Sequence, residues 1–272
     1  EREKITNLVV VPTMLIRLLE YPDNTRFDLS SLKRILYGSA SMPVTRLKQA
    51  LERFGPVFAQ GYGLTESVGP VTCLRPEEHV VNGAPEEVNR LGSCGREMLN
   101  AHVRVVREDG SDVARDCQEV GEIIIKSDTL LSCYWNMPEQ TREAVRDGWL
   151  HSGDMATMDS GGYIFIVDRK KDMIISGGIN IYPREIEEVL YKHPAVYEAA
   201  VIGMPDEEWG EIVQAVIVLK EGQKATEEEI IQYCKDHLAT YKKPKKVAFV
   251  PSLPKTPTGK ILKRELREKI ML

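Results

Sequence analysis

At 272 residues, with 42% hydrophobic and 28% charged side chains, the chain has enough apolar material for one large or two ordinary globular domains. Its 41 acids against 36 bases leave a formal charge of -5, so no long-range attraction draws it to nucleic acid or to an anionic membrane. That balance excludes a general nucleic-acid binder. Cys73, Cys94, Cys117, Cys133 and Cys234 stand far apart, without the close pairs of a structural zinc site, and read as free thiols of a reducing, cytoplasmic compartment. The apolar stretch from Leu8 to Leu19 is too short for a bilayer and is interrupted by Pro12 and Arg17, and the first residues show no signal-peptide pattern. Peripheral membrane contact and self-association stay open.

In chain order, ITNLVVVP predicts a buried strand, followed by a short helix carrying Met14, Leu15, Leu18 and Leu19. A chain that opens directly on core material reads as cut from a larger domain. Residues 35 to 37 predict another strand, and GSASMP turns it into a helix where Val44, Leu47, Leu51 and Phe54 recur at helical spacing. Strand, glycine-rich turn and helix make the βα pattern of an open α/β sheet, whose ligands sit beyond the carboxyl ends of the strands. VFAQ predicts a further strand and GYGLTES a tight turn.

From about Leu91 the texture changes. AHVRVV, EVGEIIIKS and GYIFIVDR alternate apolar and polar residues between glycine turns, as antiparallel strands do, so residues 91 to 169 predict a β-rich subdomain. After DRKKDMI, Pro183 suits a first helical turn, with Ile186, Val189 and Leu190 as an inward stripe. VYEAAVIGMP and EIVQAVIVLK predict strands, Glu227 to Leu238 a helix, KVAFV a last strand, and Leu262, Leu266 and Ile270 a terminal helix. Residues 172 to 272 thus predict a separate α+β domain.

Three places carry chemistry. In QGYGLTES, the Tyr62 ring can stack on a base, the Thr65 hydroxyl can meet a phosphate and the Glu66 carboxylate can hold magnesium, which prefers oxygen ligands; the same string also reads as a plain turn. In WLHSGD, Asp154 alone reads as a solvated turn residue, yet a fixed carboxylate there can accept both hydroxyls of a ribose. Arg169 in VDRKKD offers a multi-donor group for a ribose or phosphate oxygen, or a surface ion pair. In LPKTPTGK, prolines and Gly259 shape a loop that holds Lys260 ahead of an amphipathic helix, where a lysine can neutralise charge on a transferring phosphoryl or adenylyl group. It is not a Walker A loop, since Ile261 follows the lysine. Lys242, Lys243, Lys245 and Lys246 around Pro244 read as a solvated cluster or as a contact for the phosphates of a partner such as coenzyme A. The five histidines form no compact motif; His151, near Asp154, reads as a packed or hydrogen-bonded residue.

Together the strings YGSASMP, QGYGLTES, YWNMPEQT, DGWLHSGDMA, GYIFIVDRKKDMIISGGINIYPREIE and LPKTPTGK resemble, in order and over essentially the whole chain, the adenylate-forming superfamily of acyl-CoA synthetases, firefly-type luciferases and peptide-synthetase adenylation domains. The resemblance implies an AMP-forming ligase. A carboxylic acid, with a fatty acid as the expected class, attacks the α-phosphate of ATP to give acyl-AMP and pyrophosphate; the coenzyme A thiol then expels AMP. In that scheme Gly38, Ser39 and Ala40 line the adenine and acyl region, Tyr62 lies against adenine, Thr65 meets phosphate and Glu66 binds Mg2+. Asp154 holds the ribose, Arg169 assists, and Lys260 stabilises the adenylation transition state. Lys171 matches the hinge about which the small domain swings, and Gly178 lines the thiol channel in the second step.

The implied fold is an α/β and β-rich part of a large adenylate-forming domain over residues 1–171, its α/β part about 1–90, followed by a mobile α+β domain at 172–272. Two departures stand out. The phosphate loop expected before YGSASMP is missing, which suggests a chain incomplete for catalysis, and Ile179 replaces the usual glutamate in SGGINIYP. Aryl-CoA ligases, adenylation domains that load a carrier-protein thiol, and an inactive nucleotide-binding fragment are the competing readings.

Overall fold

The computed structural model describes residues 1–22, 24–256 and 260–270. Its chain divides into two compact units, Glu1–Ile166 and Val167–Leu272, whereas the sequence places the boundary at Lys171. Among the described residues no helix is long and apolar enough to cross a membrane.

The first unit opens with the expected α/β layer. Strand β1 (Asn7–Val10) leads through helix α1 (Pro12–Glu20) to β2 (Arg34–Gly38), α2 (Val44–Phe54) and β3 (Phe58–Leu64), and β1, β2 and β3 are parallel neighbours. β4 (Gly69–Leu74), short α3 (Pro85–Asn89) and β5 (Arg96–Glu97) follow, β4 pairing antiparallel with β3 and β5 antiparallel with β4. The helical spacing in α2 has a direct cause: Leu47, Ala50 and Leu51 bury against Ile35, Tyr37 and Phe58, and Gly55, at φ +79°, ends the helix in a conformation that suits glycine. β1 departs from the expected buried strand. Val10 is buried and Leu8 half-buried, but Val9 is 73% exposed, because β1 pairs only with β2 among the described residues and α1 packs on the opposite face. For the same reason Met14 and Leu18 of α1 stay exposed while Leu15 is fully covered.

The β-rich part comprises β6 (His102–Val106), β7 (Gly121–Lys126), α4 (Pro138–Ala144), β8 (Val145–Arg146), β9 (Trp149–Met158) and β10 (Ile164–Arg169), in sheet order β10-β9-β7-β6 with β8 beside β9. Val103, Val105, Ile123 and Ile125 alternate inward, which explains the period of two in the sequence. β10 runs across the division into the second unit.

In the second unit β11 (Ile174–Ser176) and β12 (Ile179–Ile181) form a hairpin, then α5 (Pro183–Leu190) begins on proline. β13 (Val196–Asp206) and β14 (Gly210–Leu219) form a long antiparallel ladder, followed by α6 (Glu227–His237), β15 (Lys246–Phe249) parallel to β14, and α7 (Lys263–Ile270). α5 and α6 bury Ile186, Leu190, Ile230 and Cys234 on one face of the sheet, and Leu253 and Leu266 cover the other. Thr226 caps α6 by accepting from the Glu229 amide at 3.2 Å, and Glu229 accepts in return from Thr226 N at 2.8 Å.

One buried histidine makes the first unit pH-sensitive. His79 Nε2 lies 3.0 Å from the Tyr37 hydroxyl and Nδ1 2.8 Å from the Arg75 carbonyl, a pairing satisfied by the neutral ring protonated on Nδ1. Burial lowers its pKa below the ordinary 6.5, while the Arg75 carbonyl and nearby carboxylates pull the other way. The unfolded chain therefore takes up this proton first. The stability due to the neutral ring is present above pH 6.5 and lost as pH falls through the folded value. Urea unfolding at stepped pH is expected to show stability dropping below that pH with a slope approaching about 1.4 kcal/mol per unit, and His79→Gln is expected to remove that component.

Candidate functional site

Because β2 and β3 are parallel and pair Gly38 with Gly61, the segments leaving their carboxyl ends lie together. This edge carries Gly38, Ser39 and Ala40 on one side and Tyr62, Thr65 and Glu66 on the other. Ser39 is exposed and sits at φ +67°, in the left-handed region that non-glycine residues seldom enter. GYGL is not the expected tight turn: it continues β3 as far as Leu64, and the turn is a short 3₁₀ segment, Thr65–Ser67, closed by Val68 at φ +62°. Gly63 serves close packing, since a Cβ there would stand 2.0 Å from the Gly69 carbonyl oxygen. Ser67 fastens the turn by accepting from Leu64 N at 3.0 Å and reaching the carbonyls of Leu64 and Gly69, each at 2.9 Å.

Asp154 is 5% exposed and lies within β9, so the solvated-turn alternative fails. Its position comes from a bulge: Glu122 pairs with Met155 and Ile124 with His151, leaving Ser152, Gly153 and Asp154 opposite Ile123 alone. Gly153 takes φ +70° to make the bend. Glu122 holds the bulge by accepting from Gly153 N at 3.0 Å and contacting His151 Nδ1 at 3.3 Å, while the Ser152 hydroxyl donates to the Ile123 carbonyl at 2.7 Å. The Tyr62 hydroxyl then donates to Asp154 Oδ2 at 2.8 Å across 92 residues of sequence. Burial, and next the charge of Asp154, push the Tyr62 phenol far above its ordinary value, so it remains a donor.

Glu66 is held in a comparable way. The Tyr134 hydroxyl donates to Glu66 Oε1 at 2.7 Å, Leu131 N donates to the Glu66 carbonyl at 2.7 Å, and the Thr129 hydroxyl donates to the Ser67 carbonyl at 3.0 Å. Burial and the Glu66 contact push the Tyr134 phenol up to about 12. Thr65 is exposed at the head of the turn. Among the described residues no three acidic, histidine or cysteine side chains gather as a metal cage. A single carboxylate at Glu66 fits magnesium, which is commonly bound through one or two carboxylates plus substrate phosphates. Tyr134, although it opens the string YWNMPEQT, and Glu122 carried no local signal of these roles, since each acts through a partner distant in sequence.

Arg169, Lys171, Gly178 and Lys260 belong to the second unit, whereas Tyr62 and Asp154 belong to the first. Arg169 is half-buried at the end of β10, and Lys171 is exposed in the 3₁₀ turn Lys170–Asp172. Gly178, at φ +79°, forms the turn between β11 and β12, whose Gly177 N donates to the Trp209 carbonyl at 2.8 Å. Lys260 is exposed; Pro257, Thr258 and Gly259 of its string lie outside the described residues. The basic cluster is only partly a solvated one: Lys242 pairs with Glu185 at 2.7 Å and Lys245 lies 4.1 Å from the Trp209 ring centroid.

Residues 1–135 match the family of AMP-binding enzymes and residues 185–260 its C-terminal domain. The chain belongs to this AMP-binding, adenylate-forming family. It is 43% identical over 274 residues to the medium/long-chain-fatty-acid–CoA ligase FadD8 of Mycobacterium tuberculosis, covering 98% of this chain and 46% of that protein. It is 42% identical to a feruloyl-CoA synthase from an Amycolatopsis species, covering 99% and 52%. The chain thus spans about half the length of the curated relatives it matches. Among solved structures, the amide bond synthetase McbA of Marinactinospora thermotolerans superposes with a TM-score of 0.90 at 36% identity, over 99% of this chain and 53% of that one. The o-succinylbenzoate coenzyme A synthetase MenE of Bacillus subtilis, in complex with AMP, gives 0.83 at 33% identity, over 98% and 51%.

The packing at Gly63 is open to test. Gly63→Ala forces a methyl group onto the β4 backbone and is expected to cost on the order of 3 kcal/mol or more, whereas Gly69→Ala, whose Cβ meets nothing within 4 Å, should change stability by less than about 0.5 kcal/mol. Denaturant unfolding of the two variants checks the contrast.

Proposed function

We propose that the protein to which this chain belongs is an ATP-dependent acyl-CoA ligase that activates a fatty acid as acyl-AMP and passes the acyl group to coenzyme A. The observation that carries this reading is the buried Asp154, aligned by the Glu122-supported bulge and paired at 2.8 Å with Tyr62 at the carboxyl edge of the parallel strands. A carboxylate so placed can accept the hydroxyls of a ribose while the Tyr62 ring beside it flanks the base. Gly38, Ser39 and Ala40 border the same edge, on the side of adenine and the acyl group.

The adjoining turn would meet the phosphates, Thr65 through its hydroxyl and Glu66 through a magnesium ion that screens their charge when bound. Tyr134 orients Glu66 through its hydroxyl. Residues 172–272 are assigned to a mobile domain turning about Lys171, with Arg169 assisting the nucleotide, Lys260 acting in adenylation and Gly178 lining the thiol path in the second step. The Lys245–Trp209 pair and its lysine neighbours suit the phosphates and base of coenzyme A. A fatty acid is favoured as the carboxylate because FadD8 and a long-chain-fatty-acid–CoA ligase of Bacillus subtilis, 44% identical, carry that specificity in their names.

The test separates the two half-reactions in the full-length protein. Lys260→Ala is expected to slow acyl-AMP formation by two to three orders of magnitude, about 3 to 4 kcal/mol of transition-state stabilisation, because its charge acts only while the phosphorus is pentavalent. Thioester formation from supplied acyl-AMP should stay close to the parent rate. Equal losses in both halves would reduce Lys260 to a structural residue, and turnover of cinnamic-type acids in preference to fatty acids would overturn the substrate class.

A further inference from the structure

The string that holds Lys260 contains two more lysines, Lys255 and Lys263, and the structure treats them differently. Leu253 and Leu266, one before and one after the loop, are buried on the same face of the β13–β14 ladder. Between them the chain closes as a short hairpin stem. Lys255 bridges to Ile261, Thr256 N donates to the Lys260 carbonyl at 2.8 Å, Lys260 N donates to the Thr256 hydroxyl at 3.1 Å, and Leu262 N donates to the Pro254 carbonyl at 2.9 Å.

Each leg of this stem ends in an ion pair directed back into the unit. Lys255 pairs with Glu198 of β13, both side chains less than a quarter exposed. Lys263, in the first turn of α7, lies 3.0 Å from Glu187 of α5 and 3.7 Å from Asp168 at the end of β10. Those two acids are themselves fixed by backbone amides. Glu187 Oε1 accepts from Val201 N at 2.8 Å, and Asp168 accepts from Arg169 N at 2.7 Å and Arg184 N at 3.0 Å. Burial tends to strip Lys263 of its proton, but the charges of Glu187 and Asp168 more than offset it, and the ammonium stays charged. A second tie, Arg267 to Asp172 at 3.2 Å, holds the next turn of α7.

We propose that Lys255 and Lys263 are positioning residues for Lys260: by pinning both legs of the hairpin to β13, α5 and the end of β10, they fix where the exposed Lys260 is presented for adenylation. Among the described residues of the stem, Lys255 and Lys263 are the charged side chains paired back into the unit on either side of Lys260. The inference rests on the role given to Lys260 above, and the experiment separates the two. Mispositioning of a catalytic group by about 1 Å costs on the order of a hundredfold in rate, so the pins matter far more to chemistry than to nucleotide binding.

The variants are Lys263→Met, Lys263→Arg and Lys255→Met, each in the full-length protein beside Lys260→Ala. Lys263→Met is expected to slow acyl-AMP formation by about ten- to a hundredfold with the KM for ATP within about threefold, and to leave thioester formation from supplied acyl-AMP near the parent rate. Lys255→Met, whose side chain is nearer the surface, should act the same way by about three- to tenfold, and Lys263→Arg, which keeps the cation, should recover most of the rate. Hydrogen exchange gives a readout independent of turnover. The amides of Lys260 and Leu262 should exchange about tenfold faster in Lys263→Met and Lys255→Met, with those of Val216 and Ile217 in β14 unchanged.

Three outcomes overturn the proposal. One is parent-like adenylation in both methionine variants while Lys260→Ala is crippled, which leaves the function standing. Another is an equal loss in both half-reactions with faster exchange throughout β14, which marks a purely structural role. The third is a loss in Lys263→Met that Lys263→Arg fails to restore while Lys255→Met is silent. Parent-like adenylation in Lys260→Ala, by contrast, would defeat the function assigned to Lys260 itself.

Discussion

The hydrogen bond from Tyr62 to Asp154 depends on a distortion of the sheet that the sequence SGD makes and Glu122 maintains. In a regular strand, residues 152 to 154 would alternate between faces, and three of them could not share one partner on β7. The bulge removes that constraint by leaving Ser152, Gly153 and Asp154 opposite Ile123, and a bulge exposes amides that must be satisfied elsewhere. Glu122 takes the Gly153 amide and the Ser152 hydroxyl takes the Asp154 amide at 3.1 Å. Only then can the carboxylate face Tyr62 from a buried position without strain in the surrounding ladder. The meeting of Tyr62 and Asp154 follows from this arrangement, because the aromatic ring and the acid come from different sheets.

The same division of labour recurs at Glu66. Its backbone sits in a 3₁₀ turn too short to hold an orientation alone, and the orientation comes from the segment 127–134, whose backbone, threonine and tyrosine bind the turn at three points. In both places a residue type suited to a ligand is found in a glycine-bearing string, and the residue that aims it lies tens of positions away. Support of this sort converts a polar side chain into a preorganised one, which is where the advantage of a folded site over the same groups in water resides.

This explains how far the sequence could be read. Periodicity placed β2, α2, the alternating β6 and β7, and the helices of the second unit, since each buries one face and the burial dictates the spacing. It misread β1, where an apolar run signalled burial but Val9 and the exposed side of α1 face outward. It also misread GYGL as a turn. Two glycines signal either a positive φ or a close backbone approach, and only the neighbouring strand reveals which; here neither Gly61 nor Gly63 has a positive φ, and β4 lies against both. Asp154 in isolation looked like a solvated turn residue because a bulge leaves no periodic trace. Tyr134 and Glu122 were illegible for a related reason: a supporting residue is defined by its partner, and the partner is supplied by tertiary structure.

Lysines give the clearest case of identity without role. Lys255, Lys260 and Lys263 share a side chain and a ten-residue window, and sequence alone offers no ground for treating them differently beyond the family resemblance. Their surroundings differ in charge density and burial. Lys263 lies between two carboxylates already held by backbone amides, so its ammonium is exchanged from water into a fixed and opposite field, the setting in which a partly buried ion pair fixes geometry as well as contributing energy. Lys255 has one carboxylate partner, Glu198, and the stem hydrogen bonds share the task. Lys260 sits at the exposed end of the stem. A mobile cation gains nothing for a reaction unless its approach is defined, and a defined approach requires that the charges on either side be committed to the scaffold. The spacing of five residues before and three after places those commitments on opposite legs of the stem, which is the arrangement that restrains Lys260 from two directions.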